Sequence, residues 1–89
     1  MNPKIKPFLN EEGKIIQLPA KQSKKLLVYE YLAEKFDDDQ EYSEMSVNQL
    51  INSWHTFGDC IFLRRGLVDN GFLCRLSDGS KYWRNKEKE

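Results

Sequence analysis

The sequence predicts a small α+β domain, and three observations support this fold class. Apolar side chains recur at helical spacing over residues 21–36 and again from Ser43 to Trp54. A third helix is predicted from Asp59 to about Asn70, and residues 72–84 hold two apolar-rich runs around an Asp-Gly turn. Three helices with an N-terminal hairpin and a C-terminal β-hairpin, the wing, predict a winged helix-turn-helix-like fold.

Length and composition indicate a single domain. The chain has 89 residues, of which 39% are hydrophobic and 31% charged, which is too apolar for a disordered chain and too polar for a membrane protein. No apolar run suits a secretory signal or a membrane span, so we expect a cytoplasmic protein with no membrane partner. We divide the chain into a flexible lead-in over residues 1–7, one domain over 8–84 and a charged tail over 85–89.

The N-terminal part is predicted to form a hairpin and then a helix. Turn-forming residues 10–13 lie between apolar pairs at 8–9 and 15–16, which is typical of a short hairpin. The first helix is predicted over about 21–36, and the aspartates at 37–39 end it because a helix C-terminus disfavours negative charge. We expect the acidic segment that follows to be solvated and not to bind a cation.

The second and third helices are predicted from their caps and apolar stripes. Ser43 and Asp59 stand where N-caps are needed, and Gly71 supplies a left-handed residue to end the third helix. Gly66 weakens its helix, so we expect it to permit close approach of a neighbouring element. The predicted core combines apolar residues of all three helices: Leu32, Phe36, Val47, Leu50, Ile51, Trp54, Leu63 and Leu67.

The wing is predicted from two short strands, residues 72–76 and 81–84. Side chains alternate along a strand, so Tyr82 and Trp83 must face opposite sides. Because Trp has the larger apolar area to bury, we expect Trp83 to pack on the helices. Tyr82 should then face outward, with Lys81 and Arg84 near the rim.

Four stretches of the sequence carry a family resemblance: FLNEEGKIIQLPAK at the start, YLAEKF, YSEMSVNQLI, and LRRGLVDNGFLCRLSDGSKYWR at the end. Over residues 8–84 the chain resembles a family of small bacterial domains of unknown function. Such domains occur alone or behind winged-helix regulators of the arsenical-resistance repressor type. The last stretch is the most specific, because its LRR run, helix stop and hairpin keep fixed offsets. The resemblance implies a role in gene regulation and assigns no catalytic residue.

No pattern in the sequence indicates catalysis, a metal or a cofactor. His55 is the single histidine, and the sequence has neither a nucleophile motif nor a phosphate-binding glycine loop. Cys60 and Cys74 lack the spacing of a zinc loop, and we expect reduced thiols in apolar surroundings. We therefore expect a non-enzymatic protein and identify no small-molecule site.

Cationic residues suggest the leading candidate function, DNA binding in transcription regulation. The 14 Lys and Arg residues are balanced by 14 Asp and Glu, so DNA must be held by a local patch. Candidate phosphate contacts lie on the first helix, the third helix and the wing: Lys21, Lys24, Lys25, Arg64, Arg65, Arg75, Lys81 and Arg84. We expect modest affinity for double-stranded DNA, mostly independent of its sequence. The alternative is that these cations serve only solubility and pairing with the acidic segment.

The outward face of the third helix suggests a different function, docking of a protein partner or of a second copy of the chain. Helical geometry places Ile61, Phe62, Arg65 and Asp69 on the side opposite the predicted core. A DNA-reading helix usually presents Arg, Asn or Gln to the bases, whereas this face has one Arg beside two large apolar residues and an acid. The intramolecular alternative is that the N-terminal hairpin covers Ile61 and Phe62.

Overall fold

The computed structural model describes residues 2–88, and its helices and C-terminal hairpin follow the predicted order, with one added strand and without the strands of the predicted N-terminal hairpin. The three α-helices are α1, Gln22–Ala33; α2, Glu44–Asn52; and α3, Cys60–Asp69. The three strands are β1, Glu41–Tyr42; β2, Leu73–Arg75; and β3, Tyr82–Arg84. Two 3-10 helices, Pro3–Phe8 and Lys86–Lys88, flank these elements. Within the described part of the chain, no helix is long and apolar enough to cross a membrane.

The strands form one antiparallel sheet in the order β1-β3-β2. The predicted C-terminal hairpin is confirmed as β2 and β3, in which Cys74 pairs with Trp83. The added strand β1 pairs with the other edge of β3, with Glu41 opposite Trp83. Its two residues lie in a segment that was predicted to be a solvated acidic loop. Such a short strand has no sequence pattern of its own, and the adjacent edge of β3 supplies its hydrogen bonds.

Local capping determines where the later helices begin and end, as predicted. The Ser43 hydroxyl accepts a hydrogen bond from the Ser46 N–H at 3.1 Å, and the Asp59 carboxylate accepts one from the Phe62 N–H at 3.2 Å. Gly71 follows α3 with a φ of 80°, the left-handed conformation expected of a helix stop. Helix α1 ends at Ala33, earlier than predicted, because a turn at residues 34–36 returns the chain toward the core.

The core contains most of the predicted residues but differs from the prediction in the wing. Of the predicted set, Leu50 and Trp54 are half-buried against the core, and the others are buried. The prediction that Tyr82 faces outward is wrong: it is 0% exposed, whereas Trp83 is half-buried. Tyr82 lies on the sheet face that packs on the helices, and its hydroxyl donates to Glu44 at 2.8 Å. Burial therefore leaves no unsatisfied polar group on this ring.

The N-terminal segment, predicted to be a flexible lead-in, forms a 3-10 helix that packs on the domain. Ile5 lies in the 3-10 helix Pro3–Phe8 and is buried in the core. The predicted hairpin is reduced to a turn closed by one antiparallel bridge, Leu9 to Ile15. Ile15 also forms a parallel bridge with His55, and its N–H donates to the Trp54 carbonyl at 2.8 Å. The segment therefore covers the loop between α2 and α3 and leaves the outward face of α3 open.

The start of the predicted charged tail is attached to the domain. The Asn85 amide donates to the Gly71 carbonyl at 2.8 Å, and the Asn85 N–H donates to the Phe72 carbonyl at 3.0 Å. The Lys86 ammonium forms an ion pair with Asp39. Residue 89, the last of the predicted tail, lies outside the described residues.

Candidate functional site

A groove of about 540 Å³ between α1 and α3 is the candidate site. It contains all four residues predicted for a protein interface and one of the predicted DNA-contacting lysines. We call it the α1–α3 groove, and these residues line it: Gln22, Lys25, Tyr29, Asp59, Ile61, Phe62, Arg65, Gly66, Asp69 and Asn70. The lining residues of α1 recur at helical spacing, so one stripe of that helix faces α3.

Close packing at Gly66 forms the floor of the groove. A Cβ atom at this position would lie 2.2 Å from the Tyr29 hydroxyl oxygen and 2.4 Å from the adjacent ring carbon. No side chain fits into that space, so the tyrosine ring lies directly against the α3 backbone. The predicted close approach at Gly66 is confirmed, and the neighbouring element is α1.

Tyr29 places an unpaired hydroxyl at this floor. The residue is only 4% exposed, and within the described residues its hydroxyl makes no hydrogen bond. Among the described residues, no fully buried side-chain nitrogen or oxygen lacks a hydrogen-bond partner. The unpaired Tyr29 hydroxyl is therefore not fully buried, and a ligand can reach it from the groove. Burial raises the pKa of Tyr29 above its usual value, and the nearby Asp69 carboxylate raises it further. The group is therefore a neutral donor at ordinary pH.

The two ends of the groove differ in polarity. At one end the Gln22 amide donates to the Asn70 side-chain oxygen at 3.3 Å, and the Asn70 amide donates to the Gly66 carbonyl at 2.8 Å. At the other end Ile61 is 56% exposed and Phe62 is 50% exposed. The N-terminal hairpin was the intramolecular alternative for covering these two side chains, and it does not do so.

Charges along the groove cancel. Lys25 and Arg65 supply two cations, and Asp59 and Asp69 supply two carboxylates. Within the described part of the chain, none of the four side chains takes part in a salt bridge, although Asp59 caps α3. A ligand in the groove therefore meets both signs of charge, and the lining side chains carry no net formal charge.

Four of the eight residues predicted to contact DNA make contacts within the molecule. Arg64 donates to the Asn48 side chain at 2.7 Å and lies 3.7 Å from the Glu44 carboxylate, which also accepts from Tyr82. Arg84 lies 3.4 Å from both the Asp38 carboxylate and the Phe36 carbonyl oxygen.

The other two of these four residues belong to the C-terminal hairpin, as Arg84 does. Lys81 lies 3.3 Å from the Glu41 carboxylate, and Arg75 donates to the Ser77 carbonyl at 3.0 Å. Several hydrogen bonds and ion pairs link α3 and residues 81–86 to α2, β1 and the acidic segment. We call them the wing network: Tyr82–Glu44–Arg64, Lys81–Glu41, Arg84–Asp38 and Lys86–Asp39. Most of the predicted wing cations are therefore neutralised by carboxylates of the same molecule.

The other four cations lie on α1 and α3. Lys21 is at the N-cap position of α1, Lys24 is exposed in its first turn, and Lys25 and Arg65 line the α1–α3 groove. Within residues 2–88, these four side chains have neither a hydrogen bond nor an ion pair. Only this subset of the predicted cations is available to an external partner without breaking a contact.

His55 has a structural role. Its Nδ1 lies 2.8 Å from the Ile51 carbonyl oxygen, and its Nε2 accepts the Asp59 N–H at 2.9 Å. These partners require a proton on Nδ1 and a lone pair on Nε2, so the ring links α2 to the start of α3.

Cys60 and Cys74 are free and half-buried. Over the described residues, no three His, Cys, Asp or Glu side chains are grouped to hold a metal ion.

Sequence reasoning did not identify Tyr29, Gln22 or Asn70 as site residues. Gly66 was the one available signal, because a glycine inside a helix indicates close approach of another element. It could not identify that element. Only the packing of α1 on α3 brings Tyr29 to it.

Comparison with known proteins identifies the family of the chain. Neither the curated proteins nor the solved structures include a match to this sequence. A family model described as an uncharacterised protein conserved in bacteria, DUF2087, matches residues 14–84. The match confirms the resemblance to a small bacterial domain of unknown function. The chain belongs to this bacterial family.

Proposed function

We propose that this domain is a non-enzymatic interaction module that binds a segment of another protein in the α1–α3 groove. The observation that carries the proposal is the pair of half-exposed side chains Ile61 and Phe62 at the end of this groove. Adjacent large apolar residues surrounded by polar groups are typical of the centre of a protein interface. The unpaired Tyr29 hydroxyl adds a hydrogen-bond donor beside them.

The scaffold of the module is proposed to be a winged helix. The order α1, β1, α2, α3, β2, β3 and the sheet order β1-β3-β2 support this, because in a winged helix the strand between the first two helices adds to the wing hairpin. The loop at residues 53–59 is longer than the short turn of the simplest helix-turn-helix. His55 and the bridge from Ile15 hold that longer loop.

Protein docking fits the exposed face of α3 better than DNA reading does. A helix in the major groove is surrounded by phosphates, and Asp59 and Asp69 would repel them. Burying Ile61 and Phe62 against another protein removes apolar surface from water, which stabilises a complex. Arg64, the cation of α3 that points toward α2, is already bound to Asn48 and Glu44.

A double variant with a matched control tests the docking proposal. Ile61→Asp, Phe62→Ser should remain folded by circular dichroism, because both side chains are largely exposed. A bacterial protein retained by immobilised wild type should be lost from this variant. It should persist on Met45→Asp, which alters an equally apolar side chain, 69% exposed, outside the groove. Partners that bind all three proteins equally would contradict the proposal, and sedimentation of the wild type would reveal self-association as the alternative occupant.

The second candidate function is DNA binding in gene regulation, which the family resemblance implies. The specific observation in its favour is that Lys21, Lys24 and Lys25 at the start of α1 and Arg65 on α3 have no partner within the described residues. Phosphate contacts made by such cations are independent of base sequence and weaken steeply with salt.

Fluorescence anisotropy with a random-sequence duplex at two salt concentrations tests the DNA candidate. The variant Lys24→Ala, Lys25→Ala should bind more weakly and reduce the salt slope by about one unit per lysine. Lys81→Ala is the matched control, because its ammonium is already paired with Glu41. Absence of binding at low salt, or equal effects of the variant and the control, would contradict the DNA-binding function.

A further inference from the structure

We infer that the α1–α3 groove recognises an uncharged peptide segment that carries one large apolar side chain, with a backbone carbonyl accepting a hydrogen bond from the Tyr29 hydroxyl. The inference rests on the proposed docking function and specifies the chemistry of the partner. It depends on three independent features of the groove: an unpaired donor, balanced charge and one apolar end.

Tyr29 indicates that the ligand supplies a hydrogen-bond acceptor. The ring is 4% exposed, and its hydroxyl is without a partner among the described residues. Other buried tyrosines of this protein do have partners: Tyr31 donates to the Gly13 carbonyl at 2.6 Å and Tyr82 to Glu44 at 2.8 Å. A nearly buried hydroxyl that reaches only the groove is satisfied by water in the free protein and by the ligand in a complex.

Charge balance indicates that this acceptor is neutral. A carboxylate or phosphate near Lys25 and Arg65 would also lie among Asp59 and Asp69, which line the same groove. The Asp69 carboxylate already acts on Tyr29, where it raises the pKa of the hydroxyl, so an anion at that hydroxyl would be repelled. A peptide carbonyl accepts a hydrogen bond without bringing charge, and the lysine and arginine can then hold further carbonyls.

The apolar end indicates the side chain that accompanies the carbonyl. Ile61 and Phe62 lie one turn before Arg65 and Gly66, next to the floor where the Tyr29 hydroxyl is reached. A volume of about 540 Å³ accommodates a few residues with one large apolar side chain. The polar end at Gln22 and Asn70 offers amide groups that suit continuing peptide backbone.

Selection from a phage library of random twelve-residue peptides tests the inference, with the full chain as bait. We expect enriched peptides to share one large apolar residue and little net charge. Backbone amide signals of residues 61–66 should shift in NMR spectra when such a peptide is added. Tyr29→Phe should weaken its binding by about 3- to 10-fold, the range expected when one hydrogen bond is lost.

Two controls separate binding from folding. Tyr29→Phe should unfold at the wild-type denaturant concentration, because the hydroxyl has no intramolecular partner to lose. Tyr31→Phe removes a hydroxyl that is bonded to Gly13 outside the groove, so it should lower stability and leave peptide affinity unchanged. A loss of affinity in both variants would mark a general effect of folding and overturn the assignment of Tyr29.

The remaining outcomes distinguish this inference from the proposed function. Peptides that require Ile61 and Phe62 but bind Tyr29→Phe normally would overturn the inference and leave protein docking intact. Enrichment of acidic peptides would overturn the neutral-ligand assignment alone. If no peptide is enriched, and a DNA duplex shifts the amides of residues 61–66, both the inference and the docking function fail.

Discussion

The α1–α3 groove and the wing network contain the same kinds of side chain in opposite states. In the wing network, Lys81 is paired with Glu41 and Arg84 with Asp38, and each cation is neutralised. In the groove, cations and carboxylates line one hollow and form no salt bridge within the described residues. A count of Lys and Arg in the sequence therefore does not indicate which cations can reach a partner.

The two tyrosines of these regions show the same difference. Tyr82 is buried and its hydroxyl is bonded to Glu44, whereas Tyr29 is buried with its hydroxyl open to the groove. A satisfied polar group contributes to folding, and an unsatisfied but reachable one is available for recognition. The wing network is therefore expected to control stability, and the groove to control binding.

The largest expected effect lies in the wing network. Tyr82→Ala removes a fully buried ring and should destabilise the domain by about 3–5 kcal/mol, enough to unfold a small domain or nearly so. Trp83→Ala should cost clearly less, because this larger side chain is only half-buried. Urea denaturation followed by circular dichroism provides the comparison. A Trp83→Ala variant that is less stable than Tyr82→Ala would show that the hairpin faces the other way.

The next effect sharpens the description of the groove. Gly66→Ala would ordinarily stabilise a helix by about 1 kcal/mol, but here the new methyl group meets the Tyr29 ring. We expect a net loss of about 1–3 kcal/mol from the displaced ring. In a Tyr29→Leu background, which removes the ring without emptying the site, the same glycine substitution should cost much less, and a double-mutant cycle measures this coupling. Additive effects of the two substitutions would contradict the close contact.

Removing single hydroxyls tests the difference between the two tyrosines. Tyr82→Phe loses the bond to Glu44 and should cost about 0.5–1.5 kcal/mol at neutral pH, whereas Tyr29→Phe should cost nothing measurable. If the two variants lose the same free energy of unfolding, the Tyr29 hydroxyl would be as important for folding as that of Tyr82, which would contradict the proposed difference between the groove and the wing network.

The raised pKa values of these two tyrosines predict how the stability of the domain depends on pH. Burial, and then the hydrogen bond to Glu44, raise the pKa of Tyr82 above the ordinary 10.0, and burial followed by Asp69 raises that of Tyr29. Because each raised pKa lets the unfolded chain ionise first, ionisation leaves stability unchanged well below pH 10 and lowers it as the pH rises through the raised pKa. Each Phe variant should therefore lose less stability than the wild type between pH 9 and 11, and an unchanged slope would contradict the shift.

The smallest expected effect concerns an exposed ion pair of the wing network. Lys81→Ala should change stability by only about 0.2–1 kcal/mol, because its pairing with Glu41 is exposed to water. The difference from the wild type should vanish at high salt, where such pairs are screened. Thermal unfolding at low and high salt measures it. A larger, salt-insensitive loss would indicate that the network has a structural role beyond this pair.

Local signals in the sequence determined the helices and the wing. Ser43 and Asp59 cap helices with their own side chains, and the Asp-Gly turn joins β2 to β3. These contacts form between residues close in the chain, so their chemistry is visible in the sequence. The helical core was predicted for the same reason, since an apolar stripe has one side to bury.

Contacts between distant residues were decided only by the tertiary structure. Strand β1 exists because β3 passes beside it, Ile5 is buried because the N-terminal segment packs on α1, and Tyr82 lies on the buried face of the sheet, where Glu44 accepts its hydroxyl. Which cations are paired and which remain open is decided in the same way. Each of these depends on partners tens of residues away, and alternation or spacing along one element contains no information about what lies opposite it.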